Sequence, residues 1–135
     1  MKTALRTRIL IVDDSSTMRY HLRKLLELHP TWEVCGEGVD GRDAVEKARQ
    51  LAPDLIVLDF AMPVMNGLQS AQEITKVFPQ TPILLFTSFL TTQLVNEARH
   101  LGIRGAVSKA NAVHDLITGI EALLRQETFF PASFN

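Results

Sequence analysis

Cysteine is nearly absent from this chain, and the one that occurs, Cys35, has no second thiol to meet. That excludes an intrachain disulfide and a thiolate metal centre, and it fits a reducing compartment, so a cytoplasmic location is expected. Net charge is equally scarce: 14 Lys and Arg against 15 Asp and Glu leave a formal −1 at pH 7. Without an excess of basic side chains, nothing electrostatic draws this domain to nucleic acid or to a membrane. Long apolar runs are missing too. The start, "MKTALRTRILIVDD", reaches acids after a short apolar stretch and has neither the length of a signal peptide nor that of a spanning helix. Glycine-rich phosphate loops do not occur either, because the first apolar run goes straight into "DDSS". Neither G-x-G-x-x-G nor the P-loop can be written on it, which argues against a nucleotide- or flavin-binding domain.

What is present is ordinary for a folded protein. The 135 residues are 46% hydrophobic and 21% charged, enough for one domain that buries roughly two thirds of its unfolded surface. Short apolar runs alternate with stretches of helical period. "RILIVDD", "WEVCGE", "DLIVLD", "TPILLFTS" and "IRGAVSK" read as strands. Between them and after the last lie helices facing inward with Leu22 and Leu26, with Ala44, Val45 and Ala48, with Leu68, Ala71, Ile74 and Val77, with Leu94, Val95 and Ala98, and with Val113, Leu116, Ile120 and Leu123. Ser15 or Ser16 is the natural cap of the first helix. Strands alternating with helices imply right-handed crossovers and a parallel sheet covered on both faces, which is why the central strands are apolar throughout. One α/β domain of five strand–helix units is expected, doubly wound.

One segment asks for an explanation: "LIVLDFAMPVMNG", residues 55–67, is a buried strand that ends on a carboxylate, Asp59. In open parallel sheets the ligand crevice lies beyond the carboxyl ends of the strands. Asp13 and Asp14 end the first strand, Asp59 the third, Thr87 the fourth and Lys109 the fifth, so all five fall on that edge. Taken singly, an Asp pair before a helix is a cap, a lone Asp a turn residue, a Thr a strand former and a Lys a solvated charge. Their joint placement is what speaks for a site, and Ser15 and Ser16 already serve for capping. Two carboxylates about 5 Å apart repel by roughly 3 kcal/mol at an effective dielectric near 20. A cation must compensate them, and oxygen ligands with no Cys or His beside them select a hard dication, Mg²⁺ rather than zinc. A carboxylate screened in this way can attack phosphorus, with Lys109 and Thr87 set to meet the phosphoryl oxygens. The dispersed His21, His29, His100 and His114 have no ligand spacing.

At these residues the chain resembles a known family. "ILIVDDS", "LIVLDFAMPVMNG", "ILLFTS" and "AVSK" are similar in order and spacing to the receiver (REC) domain of two-component response regulators, over residues 8 to about 128. The surroundings are closest to receivers that precede a LuxR/NarL-type DNA-binding domain. The resemblance implies the flavodoxin-like receiver fold, a doubly wound five-stranded parallel sheet in the order 2-1-3-4-5 with five helices. It implies that Asp59 accepts phosphate from a sensor histidine kinase, a phosphotransfer protein or a small phosphodonor. It further implies that Asp14, Asp59 and the carbonyl of Ala61 bind Mg²⁺ directly, with Asp13 acting through water. Thr87 and Lys109 then read the phosphoryl group and switch the surface of the fourth helix, fifth strand and fifth helix, the face expected for any homodimer. The domain is expected to promote only its own phosphorylation and dephosphorylation. Residues 1–128 are expected to form it, and 129–135 a tail or the start of a linker to an output domain.

Two positions depart from the family pattern. Ala106 stands where most receivers carry a Tyr or Phe, and Ala110 follows the lysine where many have Pro. Phe89 is a candidate substitute for the missing aromatic, while Phe129, Phe130 and Phe134 are expected to cover the end of the last helix. The Asn66-Gly67 pair is expected to supply a turn with positive φ. Two other functions compete. A haloacid dehalogenase-like phosphohydrolase would use the same Asp59, Lys109 and Mg²⁺, but has Ala61 where its acid/base Asp belongs. A receiver-shaped interaction module that is never phosphorylated is opposed by the intact acids, Thr87 and Lys109.

Overall fold

The computed structural model describes residues 5–131. Strands β1 (Thr7–Val12), β2 (Trp32–Gly38), β3 (Leu55–Leu58), β4 (Ile83–Thr87) and β5 (Gly105–Ser108) alternate with helices α1 (Ser16–Leu26), α2 (Gly41–Leu51), α3 (Gly67–Val77), α4 (Thr92–His100) and α5 (Ala112–Leu124). All neighbouring strands pair in parallel, in the order β2-β1-β3-β4-β5. The expected 2-1-3-4-5 doubly wound sheet is therefore present.

Alternation along each strand divides the core into two layers. Leu10, Val12, Ile56, Leu58, Leu85 and Ala106 face one side, where α2, α3 and α4 supply Ala44, Val45, Ala71, Ile74 and Val95. Ile9, Ile11, Val57, Leu84, Phe86 and Val107 face the other, against Leu22 and Leu26 of α1 and Leu116 and Ile120 of α5. Burying one such side chain is worth roughly 1.5–3 kcal/mol. Two full layers of them are what can offset the several kcal/mol that each buried ion costs at the tip of the sheet. Val77 and Val113, expected inside, are 45% and 80% exposed. Val77 is the last residue of α3 and Val113 lies in the first turn of α5, and helix ends overhang a sheet whose strands are this short.

Four of the five helices start on a side-chain cap: Ser15 accepts from Met18 N–H, Asp40 from Asp43 N–H, Asn66 from Gln69 N–H and Thr91 from Leu94 N–H. Ser15, Asp40 and Thr91 follow their strand tips within four residues, while Asn66 closes the longer loop after β3. The register of β1 against β2 skips one residue: Ile9 pairs with Val34 and Leu10 with Gly36, leaving Cys35 in a bulge.

Two expectations need correction. Asn66-Gly67 does not hold the positive φ. Asn66 has φ −75° and forms a capping box with Gln69, whereas Val64 has φ 70°. Met65 N–H donates back to the Pro63 carbonyl at 2.7 Å across it, a γ-turn. Gly67 is needed for space instead, because a Cβ there would collide with the Asp59 carbonyl oxygen. The phenylalanines after α5 also behave differently from the expectation. Phe129 lies beside β5, bridged in parallel to Gly105, and packs against the α1/α5 layer, while Phe130 packs against the opposite layer. An open strand edge offers unpaired backbone groups, and these outweigh the end of the helix as a seat. Phe134 lies outside the described residues.

Candidate functional site at the carboxyl edge of the sheet

The strands that lead to the candidate site end at its functional residues: β1, β3 and β5 stop one residue before Asp13, Asp59 and Lys109, and β4 stops on Thr87. β1 stops at Val12, and Asp13 N–H continues the ladder to the Gly38 carbonyl at 3.1 Å. β3 stops at Leu58, and Asp59 N–H bonds the Val12 carbonyl at 3.0 Å. β4 ends on Thr87, which pairs in register with Ser108, so Lys109 emerges one residue later at the start of a short 3-10 turn. Backbone bonds inside the sheet thus set the acids, while the side chains project beyond it.

The side chains converge. Carboxylate oxygens of Asp13, Asp14 and Asp59 all lie within 4.8 Å of one another, and these residues could hold a metal ion. Lys109 Nζ donates to Asp13 Oδ2 at 2.6 Å and to Asp59 Oδ2 at 3.3 Å. Asp13 and Asp59 are buried at 1% and 3% exposure, whereas Asp14 faces solvent. The lysine therefore reaches in to two acids that water cannot solvate, and the third guards the mouth. Asp13 is fully engaged, since its Oδ1 accepts from Ser15 N–H at 2.9 Å. Asp59 is not: its Oδ1 is buried and accepts no hydrogen bond. A buried carboxylate oxygen left bare in a polar pocket is costly unless the site takes a cation or a reacting group there.

Electrostatics follow this arrangement. Burial pushes the Asp59 carboxyl up; Lys109 works against that and Asp13 with it, leaving a net rise above the usual carboxylate range. Burial alone would lower the Lys109 ammonium, but its bonds to Asp13 and Asp59 outweigh that and raise it. Three carboxylates facing one ammonium leave the cluster short of positive charge.

Thr87 is fully buried at the tip of β4, and its Oγ1 accepts from Phe89 N–H at 3.2 Å, which leaves the hydroxyl proton free to donate. Ala61 is exposed in the loop after Asp59, and Phe89 is 63% exposed. Sequence spacing carried no sign of Arg19 and Glu37. Arg19 Nη1 donates to the Asp13 carbonyl at 2.6 Å and its Nε to Glu37 Oε1 at 2.8 Å. Arg23 joins from the next turn of α1 at 2.9 Å. Although burial opposes it, the two guanidiniums hold the Glu37 carboxyl below the usual range. The spacing of four between Arg19 and Arg23 on α1 is the available signal, yet nothing in it points them at β2.

Gly67 offers a direct test of how tightly the Asp59 backbone is enclosed. Gly67→Ala is expected to cost about 1–3 kcal/mol through overpacking against the Asp59 carbonyl. The urea midpoint measures it, and an unchanged midpoint would mean that the loop yields instead.

Fold and site together define an open α/β domain whose working edge gathers two buried acids and an exposed one around a lysine. The chain belongs to the response regulator receiver domain family, whose profile matches residues 9–121. VraR, a response regulator protein of Staphylococcus aureus, is 32% identical over 123 residues, covering 91% of this chain and 59% of that protein. Protein-glutamate methylesterase/protein-glutamine glutaminase 1 of Methanosarcina acetivorans is 39% identical over 111 residues, covering 81% of this chain and 32% of that protein. The crystal structure of a two-component response regulator of the LuxR family from an Aurantimonas species superposes with a TM-score of 0.91 at 28% identity, covering 96% of this chain and 92% of that one. The chain spans less than two thirds of the length of both curated relatives. It carries a receiver domain of the kind that serves phosphorelay signalling. Among the described residues, no helix is long and apolar enough to cross a membrane.

Proposed function

We propose that Asp59 is the phosphoacceptor of this domain, and the observation that carries the reading is the bare Oδ1 beside an Oδ2 held by Lys109. The lysine turns the carboxylate so that one oxygen is fixed and the other free to attack. The phosphorus–nitrogen bond of a phosphohistidine donor breaks as the Oδ1–phosphorus bond forms, and the electron pair leaves on the imidazole. A sensor histidine kinase, a phosphotransfer protein or a small phosphodonor supplies the group.

The donor set fits Mg²⁺: only carboxylate oxygens converge, and they outnumber the lysine. Asp14, Asp59 and the Ala61 carbonyl would hold the ion, with Asp13 behind a water. When bound, it neutralises charge between the acids and the incoming phosphoryl oxygens. Lys109 then moves its ammonium from the acids to a phosphoryl oxygen, and the free Thr87 hydroxyl donates to another. These shifts change the face of α4, β5 and α5, where a homodimer would form. The unit extends over residues 1–128, followed by a tail or linker from 129, and works in the cytoplasm.

The test is uptake of phosphate. Incubated with Mg²⁺ and phosphoramidate, the protein gains the mass of one phosphate, and Asp59→Asn gains none; a phosphate that survives the substitution overturns the assignment. Millimolar Mg²⁺ alone is expected to raise the melting temperature, because only the folded chain gathers the acids. A melting curve unmoved by Mg²⁺ would count against a preformed site.

A further inference from the structure

β5 is an edge strand, yet its edge is not open. Phe129 N–H donates to the Arg104 carbonyl at 2.9 Å, and Ala106 N–H donates to the Phe129 carbonyl at 2.9 Å. The chain reaches this position through a tight reversal at the end of α5. Gln126 takes φ 67°, its N–H bonds the Leu123 carbonyl at 3.0 Å, and Glu127 N–H bonds the Ala122 carbonyl at 3.0 Å. That is a Schellman ending with a non-glycine residue in the left-handed region, a conformation that needs support from contacts further on.

Beyond Thr128, Phe129 and Phe130 supply those contacts on opposite faces of the sheet, as successive residues of a strand do. Phe129 lies against α5, close enough that a Cβ at Gly119 would meet its ring at 3.0 Å. Phe130 packs on the α4 side, with the Arg99 guanidinium 4.0 Å from its ring centroid. A cation over a ring face attracts it. One short segment therefore ties α4 to β5 and β5 to α5. Its anchor at Ala106 lies on β5, three residues before Lys109, which follows the end of that strand, and its anchor at Arg99 lies on the helix that follows Thr87.

We propose that Thr128–Phe130 is a strap that holds α4, β5 and α5 in the arrangement of the unphosphorylated domain and is released when Asp59 carries a phosphoryl group. The inference rests on the assignment of Asp59 given above. Lys109 and Thr87 are the side chains that respond to the phosphoryl group, and any displacement of β5 or α4 acts on the two anchors directly. Coupling is reciprocal: an event that loosens the strap must itself be favoured when the strap is already loose. Release also uncovers the β5 edge and two aromatic side chains on the face where a second copy would dock.

Amide hydrogen exchange on the full chain tests this, with phosphate content read by intact mass in the same samples. Phosphorylation of the wild type is expected to speed exchange at Ala106 and Phe129 about tenfold while α1 amides keep their rates. Phe130→Ala is expected to do the same without phosphate and to accelerate phosphate uptake from phosphoramidate. Arg99→Gln, a surface change that leaves both aromatics in place, is expected to follow in the same direction to a smaller extent. Phosphate on Asp59 with unmoved Ala106 and Phe129 amides overturns the strap and leaves the phosphoacceptor assignment standing. Unmoved exchange in Phe130→Ala overturns it as well. A chain that takes up no phosphate overturns the assignment of Asp59, and the release of the strap with it.

Discussion

Asp59→Asn yields a protein that melts higher than the wild type at neutral pH and accepts no phosphate. Both effects have one origin. Lys109 attracts the Asp59 carboxylate at 3.3 Å, while Asp13 repels it from within 4.8 Å. At an effective dielectric near 20 these amount to about 5 and about 3 kcal/mol of opposite sign, so much of the attraction is spent. Burial decides the remainder, and it disfavours the charged form, which is why the carboxyl is raised. A raised carboxyl binds its proton more tightly in the folded chain than in the unfolded one. Its stabilising contribution is therefore complete below the unfolded value and lost as pH climbs through the folded value. Asparagine, nearly the same shape and never charged, escapes that loss. Its advantage is greatest at neutral pH and vanishes in acid, where the wild-type carboxyl is neutral too. In a domain of this size about 1 kcal/mol moves the midpoint by roughly 3–5 °C. Thermal melts of the two proteins from acid to neutral pH measure the difference, and parallel curves at all pH values would contradict the account. Mg²⁺ should narrow the gap, since it relieves in the wild type what the substitution removes.

Lys109→Ala has the opposite sign and a larger size, a loss of about 3–5 kcal/mol at neutral pH. Its side chain is 15% exposed, and those of the partners, Asp13 and Asp59, are 1% and 4% exposed. Removing one member of such a buried cluster strands the rest, which costs more than the pairing was worth. The ammonium is raised above the ordinary lysine range, so its contribution is present at neutral pH and lost only as pH climbs through that raised value. The variant's deficit is accordingly widest from neutral to mildly alkaline pH and closes as acid neutralises the carboxylates. Urea unfolding across pH measures it. The double variant Lys109→Ala with Asp59→Asn should recover a large part of the loss, because these contacts are not independent. Equal losses in the single and double variants would show that the lysine acts through packing of its stem instead.

How much of this could be read beforehand varies with the physics involved. The placement of Asp13, Asp14, Asp59 and Lys109 together was legible because parallel strands joined by helices must all end on one edge, whatever their side chains do. The apolar runs "ILIV", "LIVL" and "ILLF" fixed the strands for the same reason, since a strand buried on both faces has no polar alternation to obscure it. Backbone detail was not legible. Positive φ fell on Val64, a β-branched residue that carries it at a cost of order 1–3 kcal/mol, where the Asn-Gly pair offered a cheaper site. The pair was needed for other ends: Asn66 to cap α3, and Gly67 to pass close to Asp59. Long side chains were equally silent. Nothing in a one-dimensional pattern says that Arg19 spans from α1 to both Asp13 and Glu37, because its reach exceeds the spacing of the elements. The seat of Phe129 beside β5 depended on an edge that exists only after the sheet has assembled.

The bulge at Cys35 has a consequence for how this protein tolerates crowding. β2 forms the other border of the sheet, and among the described residues it pairs with β1 alone. A neighbouring molecule that tried to extend the ladder along β2 would meet a strand whose spacing changes midway, where Val34 and Gly36 serve successive partners and Cys35 serves none. Irregular borders of this sort resist the stacking that leads to fibrils. Concentrated solutions should accordingly stay clear as long as the chain is folded.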